Sequence, residues 1–392
     1  MNDESLGVAV IGAGMVGRAH AAGYRAASQL YDLDLPDVRL AVIADAYEPA
    51  ATDAARRFGY ERAELSWEAV VDAPDVDVVS VAIANDLHRP VVEALLAAGK
   101  HVLCEKPLAP TLEDAKAMVV AAESAHTHAG VGFSFRRTPA VNAIRAELES
   151  GSIGPVRHFN GHYWCDYAQD PGHPMSWRYR GGPGSGALAD IGSHMIDLGE
   201  YLCGPMTSVS GAVFQTFTTE RPVPLGHTVG HAAAATSDRS ERVENEDLAT
   251  FTGRFASGTV GTFSVSRVAH GLPNGLGFEV FAADGAAEFD LNRPGEFTFA
   301  DHGPDGRTNG SRTVLVGPQH PGIEKGIPMD FPSVGHGQND LFAWQARAFL
   351  DQVAGLGRLA PLASLADGLH NMEIQAAVTR SALNDGQSVL VG

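Results

Sequence analysis

The stretch Val8–His20, VAVIGAGMVGRAH, decides the fold of this chain. A short Val/Ile/Ala run ends in Gly12-x-Gly14-x-x-Gly17 and passes directly into a helix-period segment, Met15–Ala27. Each glycine has a physical task in such a corner. Gly12 permits the tight turn, Gly14 lets a pyrophosphate approach the backbone, and Gly17 lets helix and strand pack closely. The N-terminus of the helix then presents free N–H groups and the positive end of its dipole to the phosphates. The glycine triplet stands after a strand and before a helix, so the stretch predicts a dinucleotide-binding corner.

Outward from that corner the first third alternates short apolar runs with helix-period segments. The strands are expected at Gly7–Ile11, Arg39–Ala44, Val76–Ala84, His101–Glu105 and Gly130–Phe133, with helices at Met15–Ala27, Pro49–Phe58, Pro90–Ala98 and Leu112–Ala125. Nearly continuous Val/Ile/Ala strands suit a parallel sheet buried on both faces. Thr111, with Asp114 three residues on, is a good helix start, and Gly99 a good helix stop. The alternation predicts an α/β doubly wound (Rossmann) domain over residues 1–135.

After Phe135 the texture changes. Residues 136–392 read as an α+β domain on a large, mostly antiparallel open sheet. It opens with a helix over Pro139–Glu149 and a strand over Val156–Trp164, and an irregular Gly/Pro/Arg/Trp-rich loop leads into a helix over Ala187–Leu202. From Val209 to Val316 the pattern is β, except that Thr219–Glu246 lacks periodicity and predicts a long loop. Helices near Asp340–Ala354 and Asp367–Leu383 close the chain and are expected to pack back on the first domain. Such a division fits 392 residues, more than one core usually serves.

Composition removes several function classes. A net charge of −19 without any Lys/Arg-rich stripe repels phosphate backbones and anionic membranes, so neither nucleic acid nor membrane is an expected partner. No apolar run approaches membrane-spanning length, and the first residues lack the basic segment of a signal peptide. Three well-separated cysteines, Cys104, Cys165 and Cys203, form no CxxC pair and point to a reducing, cytoplasmic compartment. The sixteen histidines include no HExxH and no Cys/His ligand set, so no metal site is expected.

The remaining chemistry sits at strand ends. The second strand ends at Asp45, where a carboxylate accepts hydrogen bonds from both ribose hydroxyls of NAD and repels the 2′-phosphate of NADP. Asn85 and His88 follow the next long strand, where a ligand crevice is expected, although Asn85 also suits a helix cap. VLCEKPL (Val102–Leu108) ends in Lys106, and the proline after it forbids a helix and favours an extended or cis linkage. Further on, GGPGSGALADIGSHMID carries Asp190 and His194 four residues apart on one helix, a carboxylate placed to orient an imidazole.

Together the GAGMVG loop, the Glu105-Lys106-Pro107 triplet and G-x-L-x-D-x-G-x-H-x-x-D resemble the glucose–fructose oxidoreductase, inositol dehydrogenase and rhizopine-catabolism (Gfo/Idh/MocA) family. The motifs extend to about Cys203; beyond it the likeness is architectural. The resemblance implies an NAD-dependent dehydrogenase for a secondary hydroxyl of a sugar, anhydrosugar, glycoside or cyclitol. Its catalytic Lys, Asp and His fall on Lys106, Asp190 and His194, and either Lys106 or His194 is the base, the two titrating as a coupled pair. Its cofactor residues fall on Gly12, Gly14, Met15, Val16, Gly17, Asp45, Asn85, His88, Glu105 and Lys106. A cis bond before Pro107 and a homodimer or homotetramer built on the second domain's sheet are also implied. Tyr163, Trp164, Trp177 and Arg178 are candidates for the sugar side, since aromatic faces stack on ring C–H surfaces and arginine bridges hydroxyls. The polar run His336–Asp340 is a candidate to close the pocket. The same family includes NAD-dependent glycosidases that recycle the cofactor, and non-catalytic dinucleotide sensors.

Overall fold

In the computed structural model, which describes residues 5–31, 34–226, 234–301 and 310–392, the chain divides into two compact units. One contains Met1–Thr138 with Gly317–His370, the other Pro139–Val316 with Asn371–Gly392.

The first unit alternates strand and helix. In chain order it runs β1 (Leu6–Ile11), α1 (Met15–Ala27), β2 (Val38–Ala44), α2 (Glu48–Phe58), β3 (Arg62–Glu64), α3 (Trp67–Val71), β4 (Val78–Val81), α4 (His88–Ala97), β5 (His101–Cys104), α5 (Leu112–Ser124) and β6 (Ala129–Val131). The six strands pair in parallel in the order β3-β2-β1-β4-β5-β6. Strand order therefore reverses between β1 and β4, which opens the ligand crevice of such a sheet at their carboxyl ends. Thr111 caps α5 by accepting the Asp114 N–H at 3.1 Å, and Gly99 ends α4 at φ +75°. The short pair β3 and α3 was not anticipated; RAE and WEAVV are too brief to show a period.

The second unit begins with α6 (Pro139–Ser150), β7 (Val156–Trp164), α7 (Ser193–Cys203), β8 (Met206–Gln215), β9 (Glu220–Pro224), β10 (Thr236–Arg242), β11 (Leu248–Phe255) and β12 (Val260–Ser266). It continues through β13 (Gly275–Ala282), β14 (Gly285–Asp290), β15 (Glu296–Asp301) and β16 (Arg312–Leu315). The chain then forms α8 (Gln338–Val353), which belongs to the first unit, α9 (Leu365–Ala382) and β17 (Val389–Leu390). Nine strands form one sheet, β16-β15-β14-β13-β7-β12-β11-β8-β17, antiparallel throughout except for the parallel pair β12–β7. Phe159, Phe263, Phe255, Phe278 and Phe289 pack ring against ring on its buried face.

One expectation is corrected. Thr219–Glu246 is not a plain loop: β9 and β10 pair antiparallel within it, with the intervening 227–233 outside the described residues. β10 is polar on both faces and β9 carries two prolines, so no alternation marked them. The run His336–Asp340 serves the start of α8, where the Asp340 carboxylate accepts the Gly337 N–H at 2.7 Å. That helix packs on α1 within the first unit, with Ala346, Phe349 and Leu350 in the core around Val8, Val10 and Ala21.

Candidate active site

At the end of β1, Gly12 takes φ +104°, and a Cβ there would strike the backbone carbonyl of Ala82 just beyond β4. A Cβ on Gly17 would overlap the carbonyl oxygen of Gly12, which explains how closely α1 seats on the loop. Gly14 is different. Nothing lies within 4 Å of where its Cβ would stand, and no side chain caps the helix that starts at Met15. The first amides of α1, at Met15 and Val16, thus open onto space that only a residue without a Cβ leaves clear. Beside this loop the Asp45 carboxylate accepts the Ala13 N–H at 2.7 Å and the Tyr47 N–H at 2.8 Å, which fixes it at the end of β2. A bare helix N-terminus, a Cβ-free cradle and a neighbouring carboxylate fit a dinucleotide: amides for the pyrophosphate, acid for the ribose diol.

The ends of β4 and β5 carry the next group. Asn85 lies half-buried in a single 3-10 turn, Asn85–Leu87. His88 is buried, with Nδ1 3.1 Å from the Leu108 carbonyl and Nε2 3.2 Å from the Ile83 carbonyl. Burial lowers its pKa against the pull of those carbonyls, and the ring ties the loops after β4 and β5 together rather than lining an open crevice. Glu105 is buried at the end of β5. Its Oε1 stands 2.9 Å from Nε2 of buried His20 on α1, and its Oε2 accepts the Lys106 N–H at 3.2 Å. A Cβ on Gly132 would collide with that carboxylate, so the glycine makes its room. Lys106 emerges half-buried, and the Lys106–Pro107 bond is cis. His20 went unnoticed in the sequence, although it lies on α1 one turn beyond Gly17.

In the second unit Asp190 and His194 occupy one helical run, but its first turn, Leu188–Gly192, is wound as a π-helix before α7. Single π turns gather at functional sites because they re-aim side chains within a helix. Asn371 Nδ2 donates to the Ser193 carbonyl at 2.9 Å and is itself held by Gln375. Tyr167 donates its hydroxyl to Asp190 Oδ2 at 2.7 Å; burial, with the Asp190 charge beside it, pushes this phenol well above its ordinary pKa and keeps it a donor. His194 is 9% exposed, its ring centroid 6.2 Å from that of Tyr163. The Tyr163 hydroxyl donates to Asn274 at 2.8 Å.

Strand alternation separates two residues that sequence had grouped. Tyr163 shares the α7 side of the sheet, whereas Trp164 faces the other side, where it stacks on His162 at 3.9 Å and donates to Ser264. Trp177 is 59% exposed with the Arg178 guanidinium 4.4 Å above its ring, a flat apolar face edged by charge. Among the described residues no group of three or more His, Cys, Asp or Glu is placed to hold a metal ion.

Comparison with known proteins decides the family. Residues 6–133 match the profile described as the oxidoreductase family, NAD-binding Rossmann fold, and residues 141–288 match the GFO/IDH/MocA C-terminal domain. The chain belongs to the Gfo/Idh/MocA oxidoreductases. It is 36% identical to levoglucosan dehydrogenase from Pseudarthrobacter phenanthrenivorans over 97% of both chains. A solved levoglucosan dehydrogenase in complex with NADH superposes with a TM-score of 0.90, at 35% identity, over 99% of this chain and 100% of that one. Inositol 2-dehydrogenase from Rhizobium meliloti is 29% identical over 50% of this chain and 54% of its own. As a member of this family the protein is an oxidoreductase with an NAD-binding Rossmann domain, and the relatives it matches are sugar, anhydrosugar and inositol dehydrogenases.

Proposed function

We propose that the protein oxidises a secondary ring hydroxyl of an anhydrosugar of the levoglucosan type, and uses NAD in preference to NADP. The observation that carries this reading is the end-to-end likeness to levoglucosan dehydrogenase, 97% of each chain, against about half for inositol 2-dehydrogenase. The cofactor preference rests on Asp45, whose carboxylate is fixed beside the glycine loop by two backbone amides and would meet a 2′-phosphate with like charge.

In this reading Gly12, Gly14, Met15, Val16 and Gly17 hold the pyrophosphate, Asp45 the ribose, and Asn85, Glu105 and Lys106 the nicotinamide end, with His88 bracing the loops. Bound NAD supplies the hydride acceptor. Lys106 donates a hydrogen bond from Nζ to the substrate hydroxyl oxygen and stabilises charge as it develops there. His194 takes the hydroxyl proton at a ring nitrogen while the C–H bond breaks, and Asp190, steadied by Tyr167, orients the imidazole. Trp177 and Arg178 offer a stacking face and a hydroxyl donor to the sugar, and Tyr163 lines the His194 side.

The protein works in the cytoplasm as a homodimer or homotetramer, joined through the side of the nine-stranded sheet that carries Trp164 and half-exposed Phe281. Light scattering reads that directly; a monomer at micromolar concentration contradicts it. The substrate reading is tested by absorbance at the NADH wavelength across levoglucosan, aldoses, inositols and aryl glycosides, with NAD and with NADP. Turnover of levoglucosan with NAD is expected to exceed the others. Preference for an inositol, or for NADP, overturns it, and release of the aglycone without net NADH marks the glycosidase chemistry.

A further inference from the structure

We propose that Glu246 is a positioning residue for the Asp190–His194 pair, acting through the backbone of the helix that carries them. This rests on the reading that the pair works on the substrate hydroxyl.

The segment leading into that helix has little to hold itself. Gly181, Gly182 and Gly184 take φ values of +100°, +79° and +89°, so its path is set by backbone with no side-chain packing at those positions. One remote residue closes it. Glu246, from the connection between β10 and β11, is 2% exposed. Its Oε2 accepts the Gly184 N–H at 2.8 Å, and its Oε1 accepts those of Gly186 and Leu188, each at 3.0 Å. Its own backbone carbonyl accepts the Ala187 N–H at 3.0 Å. The amides that a helix start leaves without intrahelical partners are thus gathered on one buried acid, whose charge also meets the positive end of the helix. The fit is tight: a Cβ on Gly186 would strike the backbone nitrogen of Glu246 at 2.9 Å.

The neighbours of Glu246 hold the rest of the approach. Glu244 accepts the Gly181 N–H at 2.8 Å, and Asn245 Nδ2 donates to the Arg178 and Arg180 carbonyls and to Ser185 Oγ. Asp190 stands two residues beyond Leu188, its N–H on the Gly186 carbonyl at 3.0 Å, inside the π turn. A shift of the Leu188 amide therefore moves the Asp190 carboxylate with it. Misplacement by about 1 Å at a reacting centre is enough to cost on the order of a hundredfold in rate.

The test compares Glu246→Gln and Glu246→Asp with wild type. It reads kcat, KM for the sugar, NADH affinity by fluorescence, thermal unfolding, and the primary isotope effect with sugar deuterated at the oxidised carbon. Gln turns a donor toward at least one of the three amides, and Asp falls one methylene short. For Gln, kcat is expected to fall about 10- to 100-fold with a raised isotope effect, while NADH affinity stays within about twofold. Asp, which keeps the charge, is expected to fall in between. Folded variants with wild-type kcat, or a reduced active fraction with unchanged KM and isotope effect, overturn the proposal. His194→Asn separates the two layers: full activity there sinks the reading of the pair itself, whereas loss there with an active Glu246→Gln sinks only this inference.

Discussion

The glycine loop after β1 and the glycine-rich approach to α7 are both short, flexible and next to a helix start, yet they are held in opposite ways. The first is held locally. Gly12 turns against Ala82, Gly17 lets α1 sit on Gly12, and the helix amides are left open for a ligand. In the second, the amides at the helix start are already taken by Glu246, and the loop carbonyls by Asn245 and Arg267. One helix start is left open where the proposed pyrophosphate would sit, and the other is held by the chain itself. The difference shows how a glycine-rich loop before a helix acquires its meaning: from what occupies the amides, not from the glycines.

The largest expected effect removes a group that acts rather than one that holds. Lys106→Ala is expected to lower kcat about 10³-fold, with NADH affinity by fluorescence titration near wild type. A change confined to KM would make Lys106 a binding residue and weaken the contrast. Next comes Asp247→Ala, at the base of the second loop's support. Asp247 accepts Arg267 Nε at 2.8 Å and the Phe217 N–H at 2.7 Å, with both charged side chains essentially buried. Losing one partner strands the guanidinium, so thermal or urea unfolding is expected to show a loss of about 3–5 kcal/mol.

The first loop divides more finely. Gly17→Ala forces α1 off the Gly12 carbonyl and is expected to cost about 1–3 kcal/mol in stability. Gly14→Ala meets nothing in the chain, so its unfolding midpoint should match wild type while NADH affinity falls about tenfold. Equal affinity in Gly14→Ala would mean that the open space beside the helix start is not the phosphate cradle.

The smallest effect is a control far from both loops. Arg62 forks onto Asp75 at 2.8 Å to each oxygen, Arg39 adds a third bond at 3.0 Å, and these guanidiniums hold the carboxyl well below its usual range. Because the folded pKa is depressed, the contribution is present above the unfolded value of about 4 and is lost as pH falls toward the folded one. The group is a third exposed and screened, so Asp75→Asn is expected to cost about 0.5–1 kcal/mol at pH 7. The gap from wild type should narrow progressively as the pH falls below about 4; a gap that does not change with pH would assign the effect to packing.

The same contrast explains what could be read from sequence. The first unit's longer strands and helices were legible because apolar period, glycine and caps are local signals; α1 falls on its expected bounds, as does β7 in the second unit. Lys106, Asp190 and His194 were singled out by the motifs of the family resemblance, the spacing of Asp190 and His194 being weak by itself. Asn245, Glu246, Asp247 and Tyr167 were not. They lie in irregular segments, and Glu246 acts some sixty positions from the amides it binds. Trp164 was grouped with Tyr163 because adjacent residues look alike in a string, whereas on a strand they face opposite ways. His88 reads like a ligand in sequence and is a brace in the fold, since only the tertiary structure brings the Leu108 carbonyl to its ring.

The central claim is hydride transfer from an anhydrosugar carbon to NAD at a site that needs Lys106. Mass spectrometry of the cofactor after turnover of perdeuterated levoglucosan tests it most directly. The account predicts singly deuterated NADH formed in step with the oxidised sugar, and about a thousandfold less in Lys106→Ala at saturating cofactor. Absence of deuterium in the cofactor, or equal transfer in the variant, would contradict it.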